Sequence, residues 1–174
     1  SQPPYLGEHE KPNQPRRGVQ RMFMHEDKLI VSIWRFIVLA INITNGEIIW
    51  RFDSKAALSN SLGIGPDGML HALDENYYQV IHPQTGVLLF EMEIKQYFKD
   101  LGLSYTYSWL NFSDTHLFFS DVEGCHVIAF NITTRQVDWT YTTAEALPVH
   151  KPPFIYHGKL FVIDWEGKLM VFKP

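Results

Sequence analysis

Apolar and polar positions along the chain come in short alternating runs, not at helical spacing. Runs of about 4–8 residues rich in Val, Ile, Phe and Trp are bounded by Gly, Asp and Asn, which predicts strands. The runs repeat. KLIVSIWRFIVLAIN (28–42) aligns without a gap on GMLHALDENYYQVIH (68–82) and on KLFVIDWEGKLMVFK (159–173). THLFFSDVEGCHVIAFN (115–131) aligns with two extra residues at its central turn. Each copy follows another apolar segment that closes in a tight turn: RMFMHED, SLGIGPD, SWLNFSD and PPFIYHG, ending at Asp27, Asp67, Asp114 and Gly158. The first three copies are followed by a further apolar segment, EIIWRFD, VLLFEME or QVDWTYT. One unit therefore reads as four strands joined by turns, and units repeating at about 40 residues predict propeller blades. An antiparallel sandwich is the alternative, but it does not require an aromatic residue at one fixed offset.

That offset recurs in AINITNGEIIW (40–50), VIHPQTGVLLF (80–90) and AFNITTRQVDW (129–139). A small residue leaves room on the third strand, a polar residue at the strand end can hold the turn, and Gly supplies a positive φ. The aromatic on the outer strand can bury a large flat surface between neighbouring sheets. The pattern resembles the tryptophan-docking motif of quinoprotein (PQQ-like) propeller repeats, A-x-D-x-x-x-G-x-x-x-W. Ala40, Asn42, Gly46 and Trp50 fill it, with Asn for Asp. Ala129, Asn131 and Trp139 keep it, with Arg135 for Gly, while the middle copy keeps Gly86 and has Val80, His82 and Phe90. These positions are read as structural.

The expected fold is all-β: one domain over 1–174, a small propeller of about four four-stranded antiparallel blades near 18–54, 62–94, 107–142 and 149–174. The last blade lacks an outer strand before Pro174, so the N-terminal segment 1–10 is expected to close it; Pro3 and Pro4 suit only an edge. The competing arrangement is a half-ring that pairs with a second copy. Of the linkers, KQYFKDLGLS is amphipathic, and either caps one face or packs under the third blade.

Composition narrows the function. A net charge of -4 and no basic cluster beyond Arg16-Arg17 argue against nucleic acid. No apolar run is long enough to cross a membrane as a helix. One cysteine, Cys125, excludes a disulfide framework and a Cys-based zinc site. The start, SQPPYLGEHEKPNQPRRG, has no signal-peptide core, so the expected location is cytoplasmic, or periplasmic after processing. The eight histidines show no metal-ligand spacing, and no nucleophile elbow or phosphate loop is written. No catalytic residue, metal or cofactor is expected, and the chain is not read as an enzyme. The quinone enzymes that the resemblance brings in use a full eight-bladed ring and an adjacent Cys pair, and this chain has one Cys. The N-x-S/T sequons at Asn42, Asn111 and Asn131 are read as coincidental.

What remains variable is the tip between the second and third strands of each unit. These tips carry Trp34 and Arg35, Asp74 and Glu75, Asp121 and Glu123, and Asp164, Trp165 and Glu166. On a propeller such tips share one face. Trp and Arg among carboxylates form hot spots for protein partners, and clustered acids steer a basic one. The plainer reading is a solvated acidic rim with its rings folded down between blades. Trp109, Tyr105 and Tyr107 either reach the same partner or pack. The expected function is a protein-binding module, by analogy an immunity-type inhibitor that docks a basic toxin domain as a monomer or homodimer. A carbohydrate or small-ligand binder and a scaffold subunit of an envelope assembly complex are the alternatives.

Overall fold

The computed structural model describes residues 18–33, 36–55, 61–74, 76–103, 109–121, 125–144 and 153–173. Its elements are β1 (Val19–His25), β2 (Lys28–Ile33), β3 (Ile37–Asn42), β4 (Ile48–Asp53), β5 (Leu62–Ile64), β6 (Leu70–Leu73), β7 (Tyr77–Ile81), β8 (Leu88–Glu93), α1 (Lys95–Asp100), β9 (Asn111–Phe112), β10 (His116–Asp121), β11 (His126–Asn131), β12 (Gln136–Thr142), β13 (Phe154–Tyr156), β14 (Lys159–Ile163) and β15 (Leu169–Phe172). They form antiparallel meanders in chain order, β1 to β4, β5 to β8, β9 to β12 and β13 to β15. These are the four blades of a β-propeller. The fourth has three strands among the described residues, and the expected closing strand at 1–10 lies outside them.

Period-2 patterning gives each sheet two faces, and apolar faces meet at three interfaces between successive blades. Ile30, Val38, Ala40 and Trp50 of the first blade meet Leu62, Leu70, Ala72 and Ile81 of the second. Leu73, Tyr78 and Val80 of the second meet Leu117, Phe119, Ile128 and Phe130 of the third. Val127 of the third meets Leu160 and Val162 of the fourth. Helix α1 belongs to the second of these interfaces. Its Phe98 is buried against Phe119, with ring centroids 5.8 Å apart. The Tyr97 hydroxyl accepts a hydrogen bond from Val137 N at 2.8 Å. The amphipathic linker thus packs between the second and third blades.

The repeated turn has one geometry in all three copies. The chain folds back so that Gly46, Gly86 and Arg135 donate to the carbonyls of Asn42, His82 and Asn131. All three donors have positive φ, at 75°, 70° and 60°. The Asn42 and Asn131 side-chain oxygens accept backbone N–H groups of the turn, at 2.8 Å from Thr44 and 2.9 Å from Thr133. At His82 the ring Nδ1 takes this place, accepting from Gln84 N at 3.2 Å. A β-bulge follows Ala40, Val80 and Ala129 in each case.

In the first two copies the aromatic lies on the turn of the next blade. Trp50 is 8% exposed, and its Nε1–H donates to Pro83 O at 2.9 Å. A Cβ on Gly86 would stand 2.7 Å from the Trp50 ring, so this position needs glycine for space as well as for its φ. At the next interface Arg135 replaces that glycine, and its guanidinium lies 3.9 Å from the centre of the Phe90 ring. Trp139 differs from its expected burial. It is 36% exposed, and it meets Phe172 edge-on at 5.2 Å, not a docking turn.

Strand pairing also corrects the gapless alignment of the repeats. Ala40 pairs with Ile30, Val80 with His71, Ala129 with Phe118 and Val171 with Phe161. The tip is therefore one residue shorter in the second blade and one longer in the third than in the first and fourth.

Trp50→Ala is expected to cost about 3–5 kcal/mol, the usual loss for a buried aromatic. Trp139→Ala is expected to cost clearly less, because its ring is partly solvated. Urea unfolding of both variants measures the order, and equal losses would contradict the docking geometry.

Candidate partner-binding surface

The tips expected to form an acidic rim are built differently. Asp74, Asp121 and Asp164 occupy one structural position at the end of the second strand, Asp121 as its last residue and the other two just after it, and are 0%, 0% and 5% exposed. Each holds its own hairpin. Asp74 Oδ1 accepts from Asn76 N and Tyr77 N at 2.7 and 2.6 Å. Asp164 Oδ1 accepts from Lys168 N at 2.8 Å. Asp121 Oδ2 lies 3.1 Å from His126 Nδ1. These carboxylates turn inward because a two-strand reversal leaves backbone N–H groups that a short acceptor side chain can satisfy. They are not free to steer a partner. Trp165 and Glu166, in contrast, are exposed at the tip of the fourth blade, Trp165 at 71%. Trp34, Arg35, Glu75 and Glu123 lie outside the described residues, as do Tyr105 and Tyr107. Trp109 is half-buried, and the Arg21 guanidinium of the first blade stands 5.1 Å over its ring. Burial lowers the pKa of Arg21 from its ordinary value.

A buried polar network was not legible in the histidine spacing. His71, on β6, is 1% exposed. Its Nε2 lies 2.9 Å from Asp67 Oδ1, and its Nδ1 lies 2.7 Å from the Tyr78 hydroxyl. A neutral ring with the proton on Nε2 satisfies both partners, donating to Asp67 and accepting from Tyr78. Burial lowers the His71 pKa, against the pull of Asp67. Burial also raises Asp67, but hydrogen bonds from His71 and Met69 N outweigh it and hold the carboxyl below its usual range. Desolvation lifts the Tyr78 hydroxyl well above its ordinary value. With the phenol and imidazole both buried, this is a structural brace across the second blade. Its only sequence signal is a histidine and a tyrosine flanking the tip at matching distances.

A cleft of about 800 Å³ opens between the third and fourth blades. Its floor includes Trp139, Phe118 and Phe172, and its rim carries Asp114, Lys159 and Lys173. At the two preceding interfaces the aromatic of this strand is covered by the next blade's turn. Among the described residues no such turn covers Trp139. No group of His, Cys, Asp or Glu among the described residues is placed to hold a metal ion, and no helix among them is long and apolar enough to cross a membrane.

A family model described as outer membrane protein assembly factor BamB matches residues 35–174. No curated protein sequence matches significantly. Among solved structures, BamB from Moraxella catarrhalis superposes with a TM-score of 0.65 at 17% identity, over 95% of this chain and 50% of that one. The computationally designed Ika4 protein superposes at 0.67 with 11% identity, over 92% and 94%. The β-propeller domain of Cps50 (Swd1) from Myceliophteria thermophila does so at 0.67 with 11% identity, over 91% and 54%. The chain thus spans about half the length of the BamB structure it matches.

The His71 brace predicts an acid-sensitive fold. The folded pKa of His71 lies below its unfolded value of 6.5. Between the two, the unfolded chain takes up a proton that the folded chain refuses, so stability falls as pH drops below about 6.5 and returns above it. Melting temperatures from pH 7 to 5 are expected to decline, and His71→Gln is expected to flatten that decline. An unchanged slope in the variant would show that other groups set it.

Proposed function

Because the chain belongs to the PQQ-like propeller family whose model describes the assembly factor BamB, we propose that it is a protein-docking module and not an enzyme. The carrying observation is Trp165, a large ring 71% exposed on a hairpin held rigid from beneath by Asp164. A solvated Trp on a braced turn adds contact area with little ordering cost, which is what interface anchors require. Glu166 beside it gives the anchor a polar rim. Of the partner classes weighed, a scaffold role in an assembly complex draws support from the family. The immunity-type inhibitor reading rests on the exposed tryptophan, with less electrostatic steering now that three tip carboxylates are buried.

Affinity capture with the chain as bait, followed by titration of the captured partner, tests the reading. Trp165→Ala is expected to weaken binding by about 2 kcal/mol or more, in the hot-spot range, and to leave the melting temperature unchanged. A partner that binds the variant as tightly as the native chain would place the docking surface elsewhere.

A further inference from the structure

The turn between β3 and β4 in the first blade carries chemistry that the matching turns lack. Asn45 stands there before Gly46, and it is the one asparagine in the sequence that is followed by glycine. Gly46, Gly86 and Arg135 share one turn position, so the residues that match Asn45 are Thr85 and Thr134. Thr85 is exposed although the Trp50 ring lies against the glycine beside it, and Thr134 is exposed too. This corner of the turn therefore faces water even where an aromatic is docked. Asn45 is exposed in the same way.

The Asn45 side chain is folded forward along the backbone. Its Oδ1 accepts from Glu47 N at 3.0 Å, and its Nδ2 donates to a Glu47 carboxylate oxygen at 2.8 Å. A bond from the side-chain oxygen to the amide two residues on closes a small ring around the Gly46 peptide. The side-chain carbonyl carbon is thereby set beside the Gly46 nitrogen. The Glu47 N–H also polarises that carbonyl, on the oxygen where negative charge develops under attack. Gly46 brings no Cβ to obstruct the approach. One contact opposes it: Gly46 N–H donates to Asn42 O at 2.8 Å and must be released before the nitrogen attacks.

The one Asp-Gly pair in the sequence, Asp67-Gly68, is an internal comparison. Its side chain is folded forward too, with Asp67 Oδ1 accepting from Met69 N at 3.1 Å. The same oxygen lies 2.9 Å from the buried His71 Nε2. An ionised carboxylate is a poor electrophile and has no ammonia to lose, and the imidazole holds it in place.

We propose that Asn45 is a site of spontaneous deamidation in the folded protein, yielding aspartate and isoaspartate. The Gly46 nitrogen forms a bond to Asn45 Cγ and gives its proton to a solvent base. The Cγ–Nδ2 bond breaks, Nδ2 takes a proton from solvent and leaves as ammonia, and a cyclic succinimide remains. Water then opens the ring. Addition at Cγ gives aspartate, and addition at the Asn45 backbone carbonyl gives isoaspartate. Overall one water enters and one ammonia leaves. Either product replaces the Nδ2 donor by a carboxylate facing Glu47. Isoaspartate also adds a carbon to the main chain, inside the turn that Gly46 and Asn42 close. The result is a one-way chemical change in a turn of the docking motif.

The native chain is incubated folded, at mildly alkaline pH and body temperature, beside a urea-unfolded sample. Peptide mapping and methyl transfer by an isoaspartyl methyltransferase read the product. The folded chain is expected to lose ammonia from Asn45 and to take the methyl label at position 45, with Asp67 unchanged. Asn45→Thr, which installs the residue of the second and third blades, is expected to abolish that label and to keep the melting temperature. Should this variant fold poorly, the position of the label in the native chain decides. Asn45 left intact in the folded chain after the unfolded sample has converted would overturn the proposal. So would a label that persists in Asn45→Thr, or Asp67 isomerised as fast as Asn45 reacts.

Discussion

A flat aromatic ring laid on a left-handed turn of the neighbouring sheet is the contact on which this architecture depends. Trp50 on Gly86 shows it at full closure, with the ring hydrogen-bonded to Pro83 and no space for a side chain beneath. The contact fixes the distance between sheets at their outer edge, where period-2 patterning alone would let them splay. It also couples a local requirement, positive φ at one turn residue, to burial of a large side chain some forty residues earlier in the chain. The second interface keeps the contact by different chemistry. Arg135 tolerates the positive φ and lays its planar cation on Phe90, so the stacking surface survives the loss of glycine.

Inside that frame the tip aspartates and the His71 network are satisfied within their own blades. Each tip aspartate closes its own hairpin, and His71 bridges Tyr78 and Asp67 within one blade. The consequence for function is a division of labour. Acidic residues that would have made an electrostatic lure are used to stiffen the hairpins. Among the described residues, exposed aromatics include Trp165 at a tip and Trp139 beside the cleft. For the proposed docking role, these described surfaces offer shape and apolar area more than charge.

The sequence by itself determined the strands, the four units, the docking motif and its structural role. Each rests on local chemistry: turn residues, alternation and a fixed spacing of one aromatic, all readable within a few tens of residues. Tertiary structure decided the rest. The one-residue differences at the tips leave no trace in a gapless alignment, yet with a side-chain period of two a single residue moves a side chain from one face to the other. That is how Asp74, Asp121 and Asp164, read as rim residues, came to share one buried position. Sequence also could not say that Trp139 would remain partly open, because its burial depends on what the following blade lays against it. Whether an apolar face is core or interface is a property of its neighbour, and no stretch of sequence contains its own neighbour.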